Sequence, residues 1–202
     1  MSLLQQLAAY AGHHDPVAAA CNRIALLVAS SQVTWPFYVV ALAGHDGWIA
    51  CATYGSTPFF VAVPYVARRL TVAGAALLVM AGVGNAMVAT KALGAASGLE
   101  LFLIPTLLIG WFALRGHGFL LASVVAAHIL ALLGLQLWPS PWRQLDPVAD
   151  AQLLHLNMVS ATVLCVIIAT MLRGAQTDKR RGDGQAVPQD RAEGRVPMRK
   201  SR

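Results

Sequence analysis

The stretch Leu70–Thr90 reads LTVAGAALLVMAGVGNAMVAT, with Arg68 and Arg69 immediately before it and Lys91 immediately after it. It carries no formal charge and matches the roughly 20 residues that a helix needs to cross a hydrocarbon core about 30 Å thick. A soluble strand would alternate apolar and polar residues, and a soluble helix would keep one polar face. This stretch does neither, so it reads as a membrane helix bracketed by basic residues.

The same signature recurs on both sides of this stretch. The spacing predicts spans at about residues 24–44, 48–66, 70–90, 99–114, 119–138 and 151–172, giving an all-α bundle of six transmembrane helices. Composition agrees: 57% of the residues are hydrophobic, 12% are charged, and the mean hydropathy is +0.59. In lipid every backbone group needs a partner within its own segment, which favours helices, and strands would alternate. Residues 1–22 read as an interfacial segment, with Leu3, Leu4, Leu7 and Ala8 at helical spacing. Residues 23–173 form the membrane domain, and 174–202 read as a basic, disordered tail with few apolar residues to bury.

Of the 24 formal charges, 13 lie from Arg173 onward, nine basic and four acidic, so the tail supplies +5 of the net +6. That distribution sets topology and does not describe a nucleic-acid-binding stripe, so no nucleic-acid partner is expected. Arg23, Arg68, Arg69, Arg115, Arg173 and the Lys179–Arg181 run fall on one side of the spans. Lys91, Arg143, Asp46, Glu100, Asp146 and Asp150 fall on the other. The positive-inside rule makes the first side cytoplasmic, with both termini there, in a multi-pass protein of a bacterial inner membrane.

Polar residues within spans are the candidate functional groups. Asn85 and Asn157, with Gln32, Ser30, Ser31, Thr34, Ser160 and Thr162, suit hydrogen bonding between helices. Asp46, Tyr54, Glu100, Trp142 and His155 gather on the extracytoplasmic side as ligand-sensing candidates. His128 and His155 are weak haem-ligand candidates, differing in depth by on the order of 9 Å. No catalytic motif, metal cluster or CxxC is legible, nor any paired carboxylates at one-face helical spacing within a span, so no catalytic residue, metal or cofactor is assigned and the chain reads as a non-enzyme.

The segment GNAMVATKALGAASGLELFLIPTLLIGWFALRG resembles the multi-helix membrane sensor regions at the N-termini of bacterial adenylate and diguanylate cyclases and some histidine kinases. An asparagine-bearing helix, a Gly-rich turn, a Gly-x-Glu-Leu-Phe element, an apolar stretch with proline and a basic turn carry the likeness. Asn85, Gly94, Gly98, Glu100, Leu101, Phe102, Pro105 and Arg115 occupy those positions, and LHLNMVSATVLCVIIATMLRG is similar to the last helix, with Asn157 at the asparagine position. The resemblance implies a homodimeric six-helix sensor that passes a conformational change down its last helix. Only 29 residues follow Arg173, too few for a cyclase or kinase domain, so a separate cytoplasmic cyclase or kinase is the expected partner. A haem- or quinone-associated membrane protein and a small-molecule transporter are the alternatives.

Overall fold

A computed structural model of the chain describes residues 2–138 and 140–185, and every regular element among them is helical. Seven α-helices follow in order: α1 (Leu3–Ala11), α2 (Pro16–Ala43), α3 (Thr57–Arg69), α4 (Thr71–Leu93), α5 (Leu103–Leu114), α6 (Gly118–Leu137) and α7 (Pro147–Gln185). Three 3₁₀ segments join them at Gly44–Ser56, Ala95–Ser97 and Leu99–Phe102. Pro16–Arg69, Thr71–Leu93, Gly118–Leu137 and Pro147–Arg181 are long and apolar enough to cross a membrane, and Leu99–Leu114 is a shorter apolar stretch. Large apolar side chains such as Phe37, Trp111, Leu130, Leu133 and Val166 lie on the outside of the bundle. That surface suits a membrane environment and would be an aggregation hazard in water.

Two long helices begin at the same dipeptide. Asp15 accepts the Val17 and Ala18 amides through Oδ1 at 2.8 and 3.1 Å, ahead of Pro16. Asp146 does the same for Val148 and Ala149 at 2.8 and 3.0 Å, ahead of Pro147. Aspartate satisfies orphan amides, and proline has no amide to lose at the first helical position. α2 therefore starts eight residues, and α7 four residues, before the hydrophobic runs suggest. α7 also continues as helix through Gln185, so the expectation of unfolded chain from Gly174 is corrected for residues 174–185. The rest of the expected tail, 186–202, lies outside the described residues.

The expected second span is built differently from a plain helix. Its first half, Gly44–Ser56, is 3₁₀, with three residues per turn. Gly47, Ala50 and Thr53 are buried and Ser56 is partly buried, so every third residue, all small, faces the bundle. Bulk there would be excluded, because a Cβ on Gly47 would press on the backbone of Val39 and Val40 at 2.8 Å. The segment runs back along α2, and α3 completes the return.

α4 is the centre of the bundle, packing on α2, α3, α5, α6 and the Gly44–Ser56 segment. Its small residues make this possible: a Cβ on Gly82 would collide with the Thr106 methyl of α5. Ile24, Phe60, Leu78, Leu114, Ile168 and Leu172 anchor the main core, and Val39, Ala50, Leu93, Leu99 and Leu153 form a second one. Pro105 sits in the first turn of α5, directly after the 3₁₀ turn Leu99–Phe102. α6 is peripheral; only Val124, His128 and Ala131 of its side chains are buried.

Candidate functional site

Two ends of the bundle are distinguished by their contacts. At one, the His13 ring meets the Ala67 carbonyl at 3.2 Å, Arg68 donates to the Tyr10 carbonyl at 2.9 Å, and Lys179 pairs with Asp15 at 2.6 Å. Gln176 reaches the Phe112 carbonyl at 2.8 Å, which puts the turn bearing Arg115 at this end too. Burial pushes the Asp15 carboxyl up, but the hydrogen bonds from Lys179 and the Ala18 and Val17 amides, with the Lys179 charge, outweigh it and hold the group below the usual aspartate range.

At the other end, Lys91 donates to the carbonyls of Trp138 and Ser140, the latter at 2.6 Å, closing off the last turn of α6. In return the Trp142 and Arg143 amides donate to the Lys91 and Ala92 carbonyls at 2.8 and 3.2 Å, capping α4. Arg143 then reaches Asp46 at 2.8 Å through Nε. This reciprocal clamp ties α4, α6, the connection after α6 and the 3₁₀ segment together.

The ligand-sensing candidates do not converge into one pocket. Asp46 and Trp142 belong to the clamp. Tyr54 donates its hydroxyl to the Val33 carbonyl of α2 at 3.0 Å. Glu100 is partly buried, and its Oε2 is buried without a hydrogen-bond partner. His155 is exposed on α7, beside Leu154, whose methyl packs against Gly98. Among the described residues no hydrogen bond links Tyr54, Glu100 or His155 to the clamp or to one another.

His128 is committed to protein partners. Its Nδ1 lies 2.7 Å from the Val124 carbonyl, which can only accept, so that nitrogen carries the proton. In the neutral ring Nε2 then accepts from the Thr106 hydroxyl at 2.9 Å. With both nitrogens engaged and His155 facing outward, the residues present do not form a haem-ligand pair. Asn157, fully buried, donates to the Ser97 carbonyl at 2.9 Å and fixes α7 to the Gly-rich turn.

The side chains that do converge are amides and hydroxyls. Gln32 of α2 donates from Nε2 to Asn85 Oδ1 of α4 at 2.8 Å and to Ser56 Oγ at 2.7 Å, and accepts from Thr57 at 2.8 Å. Ser56 also contacts Asn85 Oδ1 at 2.7 Å. Assigned from this network, the nitrogen end of Gln32 faces Ser56 and Asn85, with the Thr53 carbonyl 3.5 Å away. The atom of Asn85 facing that nitrogen is therefore the oxygen, and Asn85 Nδ2 is left without a partner among the described residues.

This network forms the polar base of a groove of about 430 Å³ between α2 and α7, over Ala86 and Ala89 of α4. Leu27, Trp35 and Tyr38 line it from α2, and Val159, Val163 and Leu164 from α7. The rim is open, since Tyr38, Val159 and Val163 are 59%, 52% and 52% exposed. Its lining contains no Asp, Glu, Lys, Arg or His. On one side of the groove α2 and α7 close together, where Cys21 and Ile24 share the main core with Ile168 and Leu172. Sequence reading singled out Asn85 and Gln32 as bundle glue but not the groove, which exists only once α2 and α7 are side by side. Comparison of the chain with known protein families, with curated proteins and with solved structures returned no match.

Proposed function

We propose that this chain is a non-enzymatic membrane sensor or signalling accessory whose receptor element is the groove between α2 and α7, and whose output element is the helical extension of α7. In this reading the chain crosses a cytoplasmic membrane six times, by α2, the 3₁₀ segment with α3, α4, α5 with its preceding 3₁₀ turns, α6 and α7. Both termini are cytoplasmic, at the end rich in Arg and Lys. A bacterial source and a homodimeric state rest on the resemblance to cyclase and kinase sensor regions.

The observation that carries the reading is the continuity of α7. One uninterrupted helix lines the groove at residues 156–167, packs on α2 at Ile168 and Leu172, and ends beyond the Lys179–Asp15 pair. A molecule that spreads α2 from α7 at the groove acts on a helix that is packed in the main core through Ala175 and held beyond it by the polar links of Gln176 and Lys179. Such a molecule shifts the arrangement by its differential affinity for the two states. The groove replaces the scattered extracytoplasmic residues as the place where a stimulus is received, because it is where side chains of several helices meet around open space.

The test is crosslinking and affinity recovery from native membranes, with the α7 extension as the handle. Recovery of a soluble cyclase, kinase or other regulator is expected. Recovery of the chain alone, or of a cofactor-bearing membrane complex, overturns the sensor reading.

A further inference from the structure

Resting on the reading of the groove as the receptor element, we infer that its ligand is an uncharged, lipid-soluble compound that offers a hydrogen-bond acceptor, such as a ketone oxygen, to the Asn85 side-chain amide. Three properties of the groove lead there. First, its lining has no Asp, Glu, Lys, Arg or His. A carboxylate, phosphate or ammonium placed there would be a charge in an apolar environment with no counter-charge, which desolvation makes unfavourable.

Second, the network at the base is unequal in what it leaves over. Gln32 has both ends engaged, and Asn85 Oδ1 already receives Gln32 Nε2, with the Ser56 hydroxyl beside it sharing its one hydrogen between Asn85 Oδ1 and the Thr53 carbonyl, each at 2.7 Å. The Ser31 and Thr34 hydroxyls donate to carbonyls of their own helix at 2.8 and 3.2 Å. What remains in the lining is the Asn85 Nδ2 group at the base, a donor, with the Trp35 indole N–H and the Tyr38 and Ser160 hydroxyls as further groups able to donate. A donor in a low-dielectric site selects a ligand that accepts, and penalises one that brings only apolar atoms.

Third, the exposed rim made by Tyr38, Val159 and Val163 opens sideways from the bundle, among the outward-facing apolar residues. The approach is therefore from the bilayer, which requires a compound that partitions into lipid.

The test uses the full chain in phosphatidylcholine vesicles and 4-dodecylbenzophenone, a neutral ketone that also photocrosslinks, with labelled positions mapped by mass spectrometry. Two further probes accompany it: the same ketone bearing a ring carboxylate, and a dodecyl diazirine with no oxygen. The neutral ketone is expected to label groove residues such as Leu27 and Val159 at least tenfold more densely than Leu130 and Leu133 on the outer face of α6. Asn85→Ala should lower groove labelling by about fivefold or more. Val163→Trp, at an exposed wall position outside the network, should block labelling without disturbing the network.

Equal labelling of groove and α6, unaffected by either variant, would show a groove filled by ordinary acyl chains, and both the ligand assignment and the receptor reading would fall. Groove labelling that is strongest with the carboxylate, or equal with the diazirine and insensitive to Asn85→Ala, would overturn the ligand class while leaving the groove as a receptor.

Discussion

At the Lys91 end, α4 and α6 exchange caps with the connection that follows α6, and an ion pair extends the tie to the 3₁₀ segment. At the opposite end α7 is joined to the start of α2 through one ion pair, Lys179–Asp15, and to α5 through Gln176. The first arrangement uses backbone groups that would otherwise be orphaned, so releasing it exposes several unsatisfied atoms at once. The second adds side chains that water can replace to the apolar packing of Ile168, Leu172 and Ala175 in the main core. The polar links of the two ends therefore differ in how readily they release, and α7 runs between them.

The largest effect should come from the Lys91 end. Gly98 has φ of 72° and lies against Leu154, so Gly98→Val combines a left-handed backbone that a β-branched residue resists with a collision on α7. A loss of about 3 kcal/mol is expected, read as a lowered unfolding midpoint in detergent. A midpoint within experimental error of the parent would show that this turn rearranges freely.

Next, Lys91→Met removes the ammonium that caps α6 while keeping an apolar stem. A loss of roughly 2 kcal/mol is expected in the same assay, in line with hydrogen bonds from a charged donor. If α6 and the connection after it keep their protease resistance, the clamp is decoration and the contrast between the ends collapses.

The smallest change in stability, and the most local change in motion, is expected at Asp15. Asp15→Asn should leave the unfolding midpoint nearly unchanged while broadening the spin-label distance distribution between α7's extension and α1. Acid should do the same to the parent protein. Because the Asp15 carboxyl is held below its ordinary value near 3.8, the link contributes fully above that value and is lost as pH falls through the lower folded-state value. Broadening that sets in on raising the pH instead would show that another group governs the link.

The helical class and the limits of the apolar segments were legible because charges punctuate the chain at nearly every turn, from Arg23 to Arg173. Asn85 and Asn157 were legible as helix-joining amides for a physical reason: an amide in an apolar run needs a partner. The helix starts at Asp15 and Asp146 were missed although the Asp-Pro signal is local, because apolar run length outweighed capping chemistry. The 3₁₀ segment was missed because GHDGWIACATYGS is as apolar as a helix entrance; only the period-three row Gly47, Ala50, Thr53, Ser56 betrays it. The groove was beyond sequence reasoning altogether. Its walls come from α2 and α7, more than a hundred residues apart, and neither wall carries a motif.

That period-three row has a consequence for how the chain can vary. A 3₁₀ turn repeats every 3.0 residues, so adding or removing one residue between Gly47 and Ser56 rotates everything after it by about 120°, turning a bulkier face such as Trp48 or Tyr54 toward α2 and α4. Adding or removing three restores the facing but slides Ser56 about 6 Å along the axis, away from Asn85. The segment is thus indexed twice, once by rotation and once by reach, and only its present length satisfies both.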